Sequence, residues 1–242
     1  MLEQCPVCLR NSARFAFEKN GYKLSRCECC DFIFTHPYPS EEQITSYYNN
    51  YRSCTEDFYP KAASRMYRSY VKSMRFIPNL IGKSAIDIGC GGGMMVKAFS
   101  MWGAKASGLD ISERSILYAK KHYKKCDFYC ETFSKFRERG LKYDFVFSTE
   151  VIEHLAGSDE FMKTLADITK PGGHVYIATP DAGHEAVPSD ISQWDNVYPP
   201  EHLQFFNRKN IEILFGRYGF TLKHAFRKRV PAHSLMFIRQ PD

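Results

Sequence analysis

Three sets of side chains in this 242-residue sequence are spaced for chemistry. The first is a set of thiols. Cys5-Pro6-Val7-Cys8 and Cys27-Glu28-Cys29-Cys30 are two C-x2-C pairs with 18 residues between them. Two such knuckles supply four thiolates, the donor set of a tetrahedral Zn²⁺ site. Four thiolates close the coordination sphere against water, so such a metal is structural. Cys29 competes with Cys30 for the fourth place, and the x2 spacing favours Cys30. The second set is Asp87-Ile88-Gly89-Cys90-Gly91-Gly92-Gly93, an acidic residue followed by glycines. Glycines let backbone N–H groups approach a ligand at a helix N-terminus, where the dipole favours an anionic group. Asp110 stands 21 residues after Gly89, spaced to take two ribose hydroxyls through its carboxylate. The third set is Glu153-His154, with His202 downstream. Imidazoles serve as bases near neutral pH, and an adjacent carboxylate can hold the tautomer. A structural role for either histidine weighs equally. Glu150 with Glu153 is a sparse set for a divalent ion.

These residues need elements to position them. Phe15-Ala16-Phe17 and Tyr22-Lys23-Leu24 read as short strands around the turn Lys19-Asn20-Gly21, completing a zinc ribbon. Two prolines, Pro37 and Pro39, end it, and Ser40 is spaced as the N-cap of a following helix. Lys61, Arg65, Arg68, Lys72 and Arg75 recur at helical offsets, with Met66, Tyr70, Met74 and Ile77 on a neighbouring face and Pro78 as the stop. A solvated surface is the plain reading of that basic face, and guidance of a phosphate-bearing substrate the sharper one. Tyr48 and Tyr51 read as packed linker aromatics, with a cap over a cofactor as the sharper alternative. From Lys83 onward strands and helices alternate: strands at 85–88, 106–109, 127–129, 143–148 and 174–178, helices at 94–102, 112–123, 134–137 and 160–169. That alternation predicts an α/β fold, a doubly wound, mostly parallel sheet whose ligands lie beyond the carboxyl ends of its strands. The expected division is 1–40 zinc ribbon, 41–82 helical linker and 83–242 sheet domain.

The order Asp87 with its glycines, Asp110, Glu131 and Tyr143-Asp144 resembles the class I S-adenosylmethionine-dependent methyltransferases, from about Lys83 to the end. Ser148-Thr149-Glu150-Val151-Ile152-Glu153-His154-Leu155 and Lys170-Pro171-Gly172-Gly173-His174-Val175 extend the match. The cysteine ribbon, the Pro37-Tyr38-Pro39-Ser40 turn, the Tyr47–Tyr51 stretch and Pro199-Pro200-Glu201-His202-Leu203-Gln204-Phe205-Phe206 look like one bacterial branch of that superfamily. The resemblance implies a seven-stranded Rossmann-like sheet closed by a hairpin of 220–223 with 233–238. It implies S-adenosylmethionine as cofactor, with Gly89, Cys90, Gly91 and Gly93 around its methionine portion and Asp87 orienting its ammonium group. Asp110 would take the ribose, Ile111 would pack on adenine, Glu131 and Thr132 would hold the adenine edge, and Thr149 would lie beneath the sulfonium. The implied acceptor is a small molecule: a hydroxyl on a sugar, a polysaccharide precursor or a secondary metabolite.

Composition sets the outer bounds. Hydrophobic residues at 44% and charged residues at 25% are globular averages, which excludes disorder and fibrous repeats. Neither a membrane span nor a signal peptide is legible, so a cytoplasmic protein is expected. The net charge of +6 is uneven. Residues 61–85 carry six basic and no acidic side chains, whereas residues 1–60 carry six basic and eight acidic. A ribbon that docks nucleic acid should be basic, so an RNA methyltransferase is the runner-up, and an anionic or sugar-linked small molecule is the expected partner. A non-catalytic protein keeping the fold is a further alternative, against which the intact Asp87–Gly93 turn counts. A nicotinamide-dependent oxidoreductase is disfavoured because Met94 replaces the third glycine of the dinucleotide fingerprint.

Overall fold

A computed structural model describes residues 2–40, 42–44, 62–226 and 229–241. By packing, the chain forms two compact units, each assembled from distant segments. One comprises residues 1–53, 150–159 and 178–235, the other residues 54–149, 160–177 and 236–242. Strand pairing gives the reason for this grouping.

In the first unit, β1 (Glu3–Gln4), β2 (Asn11–Lys19), β3 (Tyr22–Cys27) and β4 (Ile33–Thr35) form an antiparallel sheet whose fifth strand is β10 (Gln204–Phe205). The β2–β3 hairpin turns on Asn20 and Gly21, at φ 53° and 78°, the two positive values that a two-residue loop between twisted strands requires. Register on the far edge is Gln204↔Phe34 and Phe205↔Ile33. Leu24 and Ile33 of the ribbon share a core with Trp194, Val197 and Phe205. Each such buried side chain contributes about 1.5–3 kcal/mol, so the ribbon's apolar face is stabilised by residues far downstream. Helix α6 (Arg208–Arg217) starts at a capping box: the Asn207 side chain accepts from the Asn210 N–H and the reverse bond is also made. Ser40 caps in the same way, its hydroxyl accepting from Gln43 N–H while its own N–H donates to Gln43 Oε1.

The seven-stranded sheet runs in the order β11-β12-β9-β8-β5-β6-β7. Its strands are β5 (Ser84–Ile88), β6 (Lys105–Asp110), β7 (Asp127–Cys130), β8 (Tyr143–Thr149), β9 (Thr169–Ala178), β11 (Phe220–Ala225) and β12 (Leu235–Arg239). The central pairs are parallel, and β5 is buried along four of its five residues, as a strand covered on both faces must be. Helices α2 (Met94–Met101), α3 (Glu113–His122), α4 (Phe133–Arg137) and α5 (Asp159–Ile168) fall between these strands. This is the Rossmann-like fold expected, closed by β11 and β12. Phe76, Phe99, Phe145, Phe147 and Tyr176 form an aromatic core with ring centroids 4.7–5.7 Å apart.

Two boundaries differ from the sequence reading. Helix α1 (Ala62–Ser73) stops before Pro78 and continues as a 3₁₀ turn over Met74–Asn79. Proline clashes with the carbonyl four residues back, here Met74, so α geometry gives way at Ser73 rather than at Pro78 itself. Strand β9 begins at Thr169, ahead of the Lys170–Gly173 turn, with Gly172 at φ 72° taking up the bend. Asp144, Ser84 and Lys170 clamp β5, β8 and β9: Ser84 N–H, Ser84 Oγ and Lys170 Nζ all donate to Asp144 Oδ2, at 2.9, 2.6 and 2.9 Å. Burial alone would raise the Asp144 carboxyl, but Ser84 and Lys170 hold it down at about 2.

Candidate functional site

The glycine turn follows β5. Parallel pairing sets Ile88 beside Leu109 and Ser148, and Asp110 beside Cys130. Thr149, Gly89, Asp110, Ile111, Glu131 and Thr132 therefore all fall at the carboxyl ends of adjacent strands. Gly89, Gly91 and Gly93 adopt φ of 75°, 49° and 76°, the left-handed region that only glycine enters cheaply. At Gly93 space forbids any other residue as well: a Cβ would lie 2.6 Å from the Phe128 ring and 2.9 Å from Ala119 Cβ. Gly93 is also the N-cap of α2 and brings no capping side chain to that helix end. Gly91 N–H donates to Asp110 Oδ2 at 2.8 Å and Ser112 N–H to Oδ1 at 2.9 Å, so backbone donors fix both carboxylate oxygens. Beside it, Ile111 is 76% exposed.

Other predicted residues are engaged differently. Asp87 is buried, and burial pushes its carboxyl well above the usual range against the pull of Lys72. Lys72 is half-buried, 5.2 Å over the Phe147 ring, and so departs from the solvated basic face. The Cys90 side chain is buried against Gly108, where a Cβ would lie 2.7 Å from Cys90 Sγ; its backbone is what remains for a ligand. Glu131 is taken by Arg139, with one bond at 2.8 Å and a second, shorter one. Thr132 Oγ1 caps α4 by accepting from Lys135 N–H. Tyr48, Tyr51 and Lys61 lie outside the described residues.

The cysteines gather as expected. Cys5 Sγ and Cys30 Sγ are 3.6 Å apart, Cys8 Sγ and Cys27 Sγ 3.5 Å, and all four lie within 4.8 Å of one another. A tetrahedron with Zn–S bonds of about 2.3 Å has edges of about 3.8 Å, so the cluster fits a structural Zn²⁺. The hydrogen bond between Cys5 and Cys30 lowers the Cys5 thiol and raises that of Cys30, so without a metal the pair shares one proton. Cys29 stands apart, 3.9 Å from Arg10 Nη1, and Cys30 is the fourth member. Both knuckles are gripped by α6: Arg217 donates to the carbonyls of Pro6 and Val7, Asn210 to that of Cys30 and Lys209 to that of Cys29.

Glu153, His154 and His202 come together. Glu153 and His154 lie on a 3₁₀ turn (Ile152–His154). His154 Nδ1 bonds the Glu201 carbonyl at 2.7 Å and His202 Nδ1 the Asn196 carbonyl at 2.8 Å. Those carbonyls fix Nδ1 as the protonated nitrogen in each neutral ring, leaving Nε2 as the basic one. The two rings meet edge-on at 4.8 Å, and His154 Nε2 is 4.0 Å from Glu153 Oε1. Glu153 is 1% exposed; Thr179 Oγ1 donates to its Oε2 at 2.8 Å, while its Oε1 has no hydrogen-bond partner among the described residues. Burial, and then the like charge of Glu150, push the Glu153 carboxyl up to about 8. Glu150 itself sits at φ 56°, a strained value for a residue with a side chain. The ligand-capable atoms of Glu153, His154 and His202 lie within 4.8 Å of one another, near enough to share a proton or an ion.

Against known proteins, the sequence profile described as a methyltransferase domain matches residues 62–225. The chain belongs to the methyltransferase-domain family. Curated relatives of this methyltransferase domain include the ubiquinone biosynthesis O-methyltransferase of Rhodopseudomonas palustris, 34% identical over 164 residues, covering 60% of this chain and 63% of that protein. The mitochondrial ubiquinone biosynthesis O-methyltransferase of Arabidopsis thaliana is 29% identical over 153 residues, covering 54% and 48%. The chain thus spans from about half to under two-thirds of these relatives. Among solved structures, an S-adenosylmethionine-dependent methyltransferase from Mesorhizobium loti superposes with a TM-score of 0.58 at 17% identity, covering 71% of this chain and 98% of that one. Magnesium protoporphyrin IX methyltransferase from Synechocystis PCC 6803, with bound S-adenosylhomocysteine, gives 0.56 at 17%, covering 83% and 95%. These structures share the fold. Among the described residues, no helix is long and apolar enough to cross a membrane.

Sequence reasoning missed Thr179, which holds Glu153, and Gln204, which holds the turn bearing it. It also missed α6. The signal for that helix was present in Asn207 and Asn210 at cap spacing, followed by Ile211, Leu214 and Phe215 at helical offsets.

Proposed function

We propose that this methyltransferase domain binds S-adenosylmethionine at the Asp87–Gly93 turn and Asp110, and directs its methyl group to a hydroxyl of a small molecule. One observation carries the cofactor assignment. Both oxygens of Asp110 are oriented by Gly91 and Ser112 N–H groups, beside a turn with three left-handed glycines and the exposed Ile111. An oriented carboxylate keeps lone pairs for a vicinal diol, an uncapped helix end suits a carboxylate, and an exposed aliphatic side chain suits a purine face. Bound there, the cofactor supplies a methyl group already activated on a sulfonium sulfur. The chain then contributes proximity, orientation and a base. His154 Nε2 takes the hydroxyl proton, with its ring aligned by the Glu201 carbonyl and packed edge-on against His202. The names of the curated relatives support an oxygen acceptor. The four cysteines hold a structural zinc.

The acceptor belongs to the small hydroxylated molecules of sugar or secondary metabolism, and an anionic one suits the basic stretch 61–85. An assay with labelled S-adenosylmethionine against sugar nucleotides, phenols and total RNA tests this. Methylation of RNA that falls steeply with salt, with no transfer to small acceptors, would sink it. A second reading rests on Glu153 Oε1, which lacks a hydrogen-bond partner among the described residues: Glu153, His154 and His202 bind a divalent cation that polarises the acceptor oxygen. Turnover that survives chelation while the cysteine-bound zinc is retained decides for the base.

A further inference from the structure

The Glu153–His154 turn has little means of holding its own shape. It is three residues long, follows a strained Glu150 and carries a buried carboxylate that burial disfavours. Such conformations persist only where the surroundings over-determine them. Here one side chain takes two of the turn's carbonyls at once. Gln204 is 1% exposed, and its Nε2 donates to the carbonyls of Ile152 and Leu155, both at 2.9 Å, the two carbonyls that bracket Glu153 and His154. Its Oε1 accepts from Ser158 Oγ at 2.6 Å and from Tyr38 Oη at 3.5 Å. The two carbonyls, which can only accept, dictate which way the amide faces, and a flipped amide would set Oε1 against both of them.

Gln204 stands in turn on the ribbon. It pairs with Phe34 of β4, and its neighbour Leu203 links both sides: Thr35 N–H donates to the Leu203 carbonyl at 2.8 Å, and Leu203 N–H to the Glu153 carbonyl at 2.7 Å. His202 precedes Leu203 directly. Strand β4 begins three residues after Cys30, and Asn210, whose amide holds the Cys30 carbonyl, belongs to the helix that starts three residues after β10 ends. The phenyl rings of Phe32 and Phe206 meet at 4.9 Å in the same seam.

We propose that Gln204 is the positioning residue of the Glu153–His154–His202 cluster, and that the four-cysteine centre sets its placement through the β4–β10 pairing. This rests on the functional reading above only for the consequence in turnover. The geometric claim has its own readout, the ring resonances of His154 and His202 in the zinc-loaded, full-length protein.

Gln204→Leu removes all four bonds at similar volume, and Ser158→Ala removes only the short hydroxyl bond that anchors the amide oxygen. Both variants should move the His154 and His202 ring resonances. The leucine variant should lower kcat by about tenfold or more and the alanine variant by about threefold, with cofactor Kd within about twofold of the parent. Zinc removal, verified by metal analysis, should move the same resonances. Ring signals unmoved in Ser158→Ala, which carries the test if the leucine variant fails to fold, overturn the positioning role. So does a cofactor Kd that rises in step with the loss of kcat. Ring signals indifferent to zinc removal overturn the link to the cysteines. Absence of turnover with every acceptor would count against methyl transfer and leave the ring readout standing.

Discussion

Asp110 and Glu153 are both carboxylates at the end of a strand or a sharp turn, and their surroundings are opposite. Asp110 receives an N–H on each oxygen, from the turn before α2 and from the start of α3, and it remains partly open to solvent. Glu153 is sealed, has one oxygen on Thr179 and the other without a hydrogen-bond partner among the described residues, and keeps its proton well into the neutral range. The first arrangement is complete before any ligand arrives: a fixed anion ready to accept hydrogen bonds. The second is unfinished, costing stability for a group whose charge depends on what approaches it. Preorganised binding groups and perturbed reactive groups are commonly separated in this way.

The contrast can be broken experimentally. The largest expected effect is at the unfinished end. His154→Ala should lower kcat by about 10²–10⁴-fold with cofactor affinity unchanged in calorimetry, His202→Ala by less. Full turnover in both variants would remove histidine from the chemistry. Next is the pH dependence of stability. Below pH 4.5 both folded and unfolded chains hold the Glu153 proton; between 4.5 and about 8 only the folded chain does, so stability declines as pH rises and levels off above 8. Glu153→Gln should therefore be more stable than the parent at pH 8, by on the order of a few kcal/mol, and nearly equal at pH 4. Equal denaturation midpoints at both pH values would show that the carboxyl carries no such burden.

At the finished end, Asp110→Ala should cut S-adenosylmethionine affinity by one to two decades, about 1.5–3 kcal/mol for lost charged hydrogen bonds. Unaltered affinity would take Asp110 out of the site. Smallest is the Asp144 clamp, a carboxylate with purely structural partners. Its contribution is present above pH 3.8 and lost as pH falls through about 2. Asp144→Asn should cost about 1–2 kcal/mol at pH 7 and far less near pH 2, seen as melting curves that converge in acid.

The finished end was also the more legible. Glycine spacing, an acidic residue at the next strand end and alternating periodicity are local signals, and the strands they predict lie within a few residues of those observed. Even there, what each side chain touches was not readable: Glu131 is spent on Arg139, a pairing that depends on the turn after α4. The unfinished end is assembled from Tyr38, residues 150–158, Thr179 and residues 201–204, brought together by pairing of a two-residue strand too short to have a period. Gln204 looks like any polar residue in a chain of apolar ones until the carbonyls of Ile152 and Leu155 are in place.

The fifth strand of the ribbon sheet has a consequence for the order of events during synthesis. Cysteines 5 to 30 leave the ribosome before residues 194–205 and can take up zinc at once, yet the β4 edge remains unpaired, and Trp194, Val197 and Phe205 absent from the shared core, until some 170 residues later. An early-formed metal knot with an open sheet edge is a surface that chaperones or other nascent chains can occupy. The cysteine-bearing strands are therefore completed only once residues 194–205 are in place.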